Sequence, residues 1–368
     1  MRRRTALFAL ATTALQPRSA TALAARRLEF PADFGAHPEQ SIEWWYLTGW
    51  LSERRGTAND SSSTDAREQF GFQITFFRSK TGVATDHPSR FAASQLLFAH
   101  AALTDLGARR ARHDQRIARV GTGLAELDIR ATKLRLRNWT LARDGAVESG
   151  RYVTGVHCPD AGFGFELVCE TTQPVLVQGE HGWSRKGPQA SQASLYYSEP
   201  QLRVSGTLRR GAGAIGVLGR AWLDHEWSDA LLDPQAVGWD WIGMNLFDGS
   251  ALTAFRLRRA DASALYAGGS VRRGAAAARN FASGAVHFTP QRWWTSPHSA
   301  ARYPVQWTIE TPGGTFTVRA LLDDQELDSR PSTGAIYWEG LSELLDGSDR
   351  RVGLGYLEMT GYAAALRL

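Results

Sequence analysis

The densest group of side chains able to move protons is the run Asp224, His225 and Glu226, with Asp229 and Asp240 close behind, among Trp222, Trp227, Trp239 and Trp241. A carboxyl group and an imidazole beside an apolar cavity can be tuned toward matched acid and base strengths, as protonating an alkene and adding water requires. Asp224, His225 and Glu226 are therefore the candidate catalytic residues. In a strand, alternate side chains point to opposite faces, so Asp224 and Glu226 share one face and His225 and Trp227 the other. The four cannot then all reach one ligand, and the competing role is a structural network joining two cores.

Aromatic strand-like stretches hold the remaining candidates. Glu43, Trp44, Tyr46, His100, Trp227, Trp239, Trp241, Trp338 and Glu339 are the expected ligand-binding residues, with Trp44, Tyr46, Trp239 and Trp241 as the cavity wall. A carboxylate in such a strand is either ion-paired with an arginine or a pocket acid held protonated. Pairing is the expectation for Glu43, Glu339 and Glu358, and His100 is expected in a core or at an interface.

Other signatures exclude chemistry. The run GAGAIG at 211–216 fits Gly-x-Gly-x-x-Gly but lies between strand-like runs with no helix after it, so it reads as a hairpin turn rather than a dinucleotide site. Neither a Gly-x-Ser-x-Gly elbow nor a His-Glu-x-x-His zinc helix occurs. A strand pair such as Asp224 and Glu226 is more often solvated or ion-paired than metal-bound, and no metal and no cofactor are expected. Cys158 and Cys169 flank a turn-like stretch; in a hairpin centred near Phe163 and Gly164 they would face each other. A disulfide and two small buried thiols both remain open.

The elements that must position these residues are strands. The runs at 70–77, 133–139, 201–208, 252–258 and 315–321 alternate or carry β-branched and aromatic residues, while 36 Gly and 14 Pro punctuate the chain. Long helical stripes are absent, so the expected class is all-β, built of antiparallel barrels rather than βαβ units. Polar or small-residue stretches at 53–68, 179–193 and 268–278 read as loops. EWWYLTGW at 43–50 and GWDWIG at 238–243 each open a β region, consistent with an internal duplication.

With 368 residues the chain has room for two domains, and 43% hydrophobic against 21% charged residues is enough apolar surface for two cores. Residues 1–24 read as a signal peptide, with basic residues at Arg2 to Arg4, a short apolar stretch and a cleavage site near Ala24, so a periplasmic or secreted location is expected. No segment approaches the ~20 apolar residues of a membrane-spanning helix. Removing the leader with Arg2, Arg3, Arg4 and Arg18 leaves 38 basic against 37 acidic side chains, so the high isoelectric point owes much to the leader. A nucleic-acid partner is not expected.

The segments EWWYLTG (43–49), HAALTD (100–105), AWLDHEWS (221–228), GWDWI (238–242), YWEG (337–340) and GYLEMTGY (355–362) together resemble the AttH/CrtC family, related to carotenoid 1,2-hydratase. The resemblance spans almost the whole mature chain. It implies two tandem lipocalin-like barrels, over 25–235 and 236–368. It also implies relatedness to kievitone hydratase and fungal Diels–Alderases, which act on apolar unsaturated substrates without a redox cofactor. The family's His-x-Trp element matches His225 and Trp227. Its Tyr-x-Asp pair, expected near 252–258, is absent, so the proton donor of carotenoid hydration does not carry over. Three functions follow: a carrier of an apolar, lipid- or isoprenoid-like molecule; a cofactor-free hydratase or hydrolase acting on one; or an envelope assembly partner of an ABC-type permease.

Overall fold

The computed structural model describes residues 23–54, 68–84, 87–89, 91–229 and 232–366. The leader and most of the 53–68 loop therefore lie outside the described residues. Strands make up 58% of the described residues and helix 2%. They form a 13-stranded sheet ending at Ser228 and a 10-stranded sheet starting at Gly238, joined throughout by antiparallel ladders. Among the described residues no helix is long and apolar enough to cross a membrane.

The first sheet curls into a nearly closed barrel, its two end strands bridged at Val120 and Ala125. Alternation decides what fills it. Along the strand Ile42–Glu53, Trp45, Leu47 and Leu51 enter the barrel core with Phe72, Ile74 and Phe76. Trp44 and Tyr46 point outward. The second sheet is a half-barrel around Ile242, Met244, Trp307, Trp338 and Leu357.

Because both faces of Ile42–Glu53 are apolar, its outer face must be covered, and the second sheet covers it. A third cluster, with Tyr46, Trp222, Trp241, Phe255, Leu341 and Tyr356, forms the junction between the sheets. Gly71 permits the approach: a Cβ there would lie 2.8 Å from the Tyr356 hydroxyl and 2.9 Å from Leu341 Cβ.

Several local expectations change. Cys158 pairs across its hairpin with Phe163 and Cys169 with Tyr152, so the thiols lie six residues apart along the ladder, about 20 Å. Both are free and buried, and no disulfide joins them. The turn falls before Phe163, where Gly162 takes a positive φ of 71°. Residues 268–272 belong to the strand Ala264–Arg272 rather than a loop; Gly269 lets the Thr253 carbonyl approach to where a Cβ would stand. The 179–193 stretch contains a short strand, Trp183–Arg185, and the 133–139 run breaks at Arg137, whose φ is 55°. Gly211 does turn the hairpin between Ala193–Arg210 and Gly213–Ser228.

Candidate acid site between the two sheets

The strand Gly213–Ser228 runs between Ile42–Glu53 and Ala193–Arg210. Asp224 is flanked by Tyr46 and Ser198, His225 by Trp45 and Tyr197, and Glu226 by Trp44 and Tyr196. Strand alternation then divides the proton-carrying run as its sequence requires. Asp224 and Glu226 face the junction, while His225 and Trp227 enter the first barrel.

At the junction, Asp224 Oδ1 accepts hydrogen bonds from Ser198 Oγ (2.5 Å) and Trp222 Nε1 (2.7 Å), and the Tyr196 side chain lies beside it. Burial pushes the Asp224 carboxyl up to about 7, outweighing these hydrogen bonds. Glu226 is different, because Lys186 Nζ lies 2.9 Å away and Ser194 donates to it. The second sheet adds two more acids. Glu339 and Glu358 are cross-strand neighbours, and Glu358 stands beside Trp241 on the other side.

Burial drives the Glu358 carboxyl up to about 7, against a hydrogen bond from Trp239. Glu358 lies deep between the sheets yet keeps some accessible surface. Burial, and next the Glu358 charge, raises Glu339 well above the usual carboxylate range; Gln73 Nε2 donates to it at 2.6 Å. Among the described residues neither Glu339 nor Glu358 takes an ion-paired arginine, contrary to expectation. Near neutral pH this junction therefore keeps Glu339 protonated and a substantial share of Asp224 and Glu358 in the proton-bearing form that a general acid needs.

A cavity of about 360 Å³ opens between the sheets; Asp224 does not line it but is reached from it through Tyr196 and Gln178. Tyr196, Trp183, Phe255, Tyr266 and Phe281 wall it together with the polar Gln178, Glu180, Arg185 and Asn280. Gln178 Nε2 donates to Ser198 Oγ at 2.9 Å, and Ser198 donates in turn to Asp224. Ser270 fixes the other end of the Gln178 amide at 2.7 Å. A hydrogen-bond line thus runs from the cavity wall to the buried acid, and Tyr196 touches both. Lys186 Nζ sits 4.5 Å from the ring centres of both Tyr196 and Phe255.

His225 belongs to a separate network inside the first barrel. Its Nε2 lies 2.9 Å from Glu43 Oε1, and its Nδ1 lies 3.1 Å from the Tyr197 hydroxyl. Glu43 also meets His37 Nδ1 at 2.9 Å and the buried Arg78 Nε at 2.9 Å. Burial alone would raise Glu43, but hydrogen bonds from His225 and His37 outweigh it and hold the carboxylate down at about 2. Burial depresses His225 to about 4. The expected arginine pairing thus holds for Glu43.

The expected site residues therefore separate into three places. Asp224, Glu226, Trp44, Tyr46, Trp239, Trp241 and Glu339 gather at the junction, but none of them lines the cavity, so the expected wall of Trp44, Tyr46, Trp239 and Trp241 packs the sheets together instead. His100 is there too, as an interface histidine: its Nδ1 lies 2.8 Å from the Tyr337 hydroxyl of the second sheet. His225, Glu43 and Trp227 lie within the first barrel, so the run Asp224, His225, Glu226 is not one catalytic unit, and Glu43 and Trp227 do not line the junction. Trp338 is buried in the second core with its Nε1 donating to the Asp323 carbonyl, so it is not part of the ligand wall. Asp240 is held by Arg256, and Asp229 accepts from Ser41. Sequence reasoning missed Tyr196, Ser198 and Gln178, which reach Asp224 only through ladder pairing; no local motif marks them.

The AttH-like family model matches residues 21–362. Among solved structures, an AttH candidate from Nitrosomonas europaea is 43% identical, covering 93% of this chain and 99% of its own, with a TM-score of 0.82. Kievitone hydratase from Nectria haematococca shares the fold at 15% identity (TM-score 0.62, 91% and 94% covered), as does CghA bound to Sch210972 at 13% identity (0.53, 88% of each). No curated protein matches the chain in sequence. The match across nearly the whole described chain establishes that this protein belongs to the AttH-like family.

Proposed function

We propose that the protein is a cofactor-free hydratase acting on an apolar, unsaturated ligand bound between its two sheets, and that it works outside the cytoplasm once the 1–24 leader is removed. The observation that carries this reading is the line from the cavity through Gln178 and Ser198, with Tyr196 alongside, to Asp224, whose carboxyl is raised to about 7. A cavity of about 360 Å³ is within the ~300–1,000 Å³ range of small-molecule sites. The fold shared with kievitone hydratase agrees with this reading.

Asp224 Oδ1 already accepts two hydrogen bonds, which leaves Oδ2 to carry the proton. Asp224, directly or through the Tyr196 hydroxyl, gives this proton to one alkene carbon. The positive charge that develops on the other carbon is met by the rings of Trp183 and Phe281, since the Lys186 ammonium already lies against Tyr196 and Phe255. Water adds there, and its surplus proton returns to the Asp224 carboxylate. The net change is addition of one water, and the acid is regenerated. Tyr196 and Asp224 would thus take the place of the Tyr-x-Asp pair that is missing from 252–258.

The test is incubation of the mature protein with farnesol, as an isoprenoid probe, in ¹⁸O-labelled water. A labelled hydrated product, lost in Asp224→Asn with farnesol still bound, supports a hydratase. Tight binding without product in either protein overturns catalysis on such alkenes and favours a carrier.

A further inference from the structure

We propose that His37, Glu43 and His225 form a binding site for a divalent transition-metal ion inside the mouth of the first barrel, separate from the acid site at the junction. Two imidazole nitrogens, His37 Nδ1 and His225 Nε2, each lie 2.9 Å from the same oxygen, Glu43 Oε1. All three donor atoms fall within 4.8 Å of one another. Around tetrahedral zinc, donor atoms about 2.0–2.1 Å from the ion are roughly 3.3 Å apart, so the two short contacts open by about 0.4 Å while the two nitrogens, as much as 4.8 Å apart, close by up to about 1.5 Å, a movement the loop-borne His37 supplies.

The surroundings match what such ligands need. A metal-bound imidazole usually gives its second nitrogen to a carboxylate, carbonyl or hydroxyl that fixes the ring. His37 Nε2 meets Asp33 Oδ1 at 3.1 Å, and His225 Nδ1 meets the Tyr197 hydroxyl at 3.1 Å. The ring planes are further held by stacking, His37 on Trp227 at 3.6 Å and His225 on Trp45 at 4.6 Å. Arg78 binds Glu43 Oε2, so Oε1 is the oxygen that faces the two imidazoles, although it also accepts the His37 main-chain N–H at 3.0 Å. Arg78 is also the main electrostatic opposition, partly offset by Asp33, which is itself paired with Arg26.

Two nitrogens and one oxygen suit a borderline ion such as Zn²⁺ or Co²⁺ and are poor for Ca²⁺ or Mg²⁺, which favour oxygen. His37 sits on the loop after the short helical turn Ala32–Phe34, with 14% of its side chain exposed, so it offers an entry path. Three protein ligands leave the fourth position for water.

The test is titration of the chelator-stripped, full-length mature protein with Co²⁺, read by absorption, and with Zn²⁺, read by calorimetry. One ion per chain and the d–d bands of a four-coordinate cobalt site are expected. Affinity should fall by ~100-fold in His37→Ala and by ~10-fold in Asp33→Asn. His37→Gln, with thermal melting of each variant, keeps the test valid if His37→Ala is poorly folded. No cobalt band and no heat overturns the site. Binding unchanged in the His37 variants also overturns it, since the ion is then held elsewhere.

Discussion

Glu339 and Glu358 stand directly opposite each other on neighbouring antiparallel strands, and among the described residues neither forms an ion pair. Two carboxylates so placed cannot both ionise cheaply, and here burial and proximity both favour the protonated form. Asp224 adds a third such group across the junction. Burying these acids without a paired cation of their own costs stability, and the proposed hydration rests on that arrangement.

Asp224→Asn keeps the hydrogen bonds from Ser198 and Trp222 but removes the proton donor. Turnover should fall by at least ~100-fold while ligand affinity changes little, as checked by steady-state kinetics and calorimetry. In the wild type, activity should decline as pH rises through about 7, where Asp224 loses its proton.

The same residue has a stability signature of known sign. Its folded value, about 7, lies above the ordinary aspartate value of 3.8, so its ionisation favours the unfolded chain. The cost is absent below about pH 4, grows between pH 4 and 7, and is full above pH 7. Three units correspond to roughly 4 kcal/mol as an upper bound. Asp224→Asn should therefore be more stable than wild type at pH 8 and nearly equal to it at pH 4, read from paired denaturant melts.

Tyr196→Phe keeps the ring that walls the cavity and removes only the hydroxyl beside Asp224. It should lower kcat by ~10-fold or more with KM nearly unchanged. An equal loss in KM alone would give Tyr196 a binding role.

Gly71→Val should separate the sheets without emptying either core. The new side chain meets Leu341 and Tyr356 at under 3 Å, and a cost of about 1–3 kcal/mol is expected together with loss of ligand binding. Thermal melting and intrinsic tryptophan fluorescence report both.

Unfolded without reductant, the protein should present two reactive thiols, and dithiothreitol should leave its Tm unchanged. In the folded state burial raises both thiols and should make them slow to alkylate. One disulfide per chain would contradict the ladder register.

Much of this protein is legible in its sequence, because the signals are local. Period-two alternation, with glycine turns, gives an all-β chain, and alternation alone separates Asp224 and Glu226 from His225 and Trp227. The aromatic segments identify the family. Register is not local: Cys158 and Cys169 looked opposed until the hairpin turned before Phe163 instead of at it, which moved them about 20 Å apart. Burial is not local either. Glu43 and Glu339 sit in similar aromatic strands, yet Glu43 meets Arg78 and two histidines and stays ionised, while Glu339 meets Gln73 and a second acid and stays protonated. The sequence by itself determined the fold class and which residues share a strand face. Only the tertiary structure decided which carboxyls find a cation and which lie together without one, because that depends on side chains brought in by strands distant in sequence.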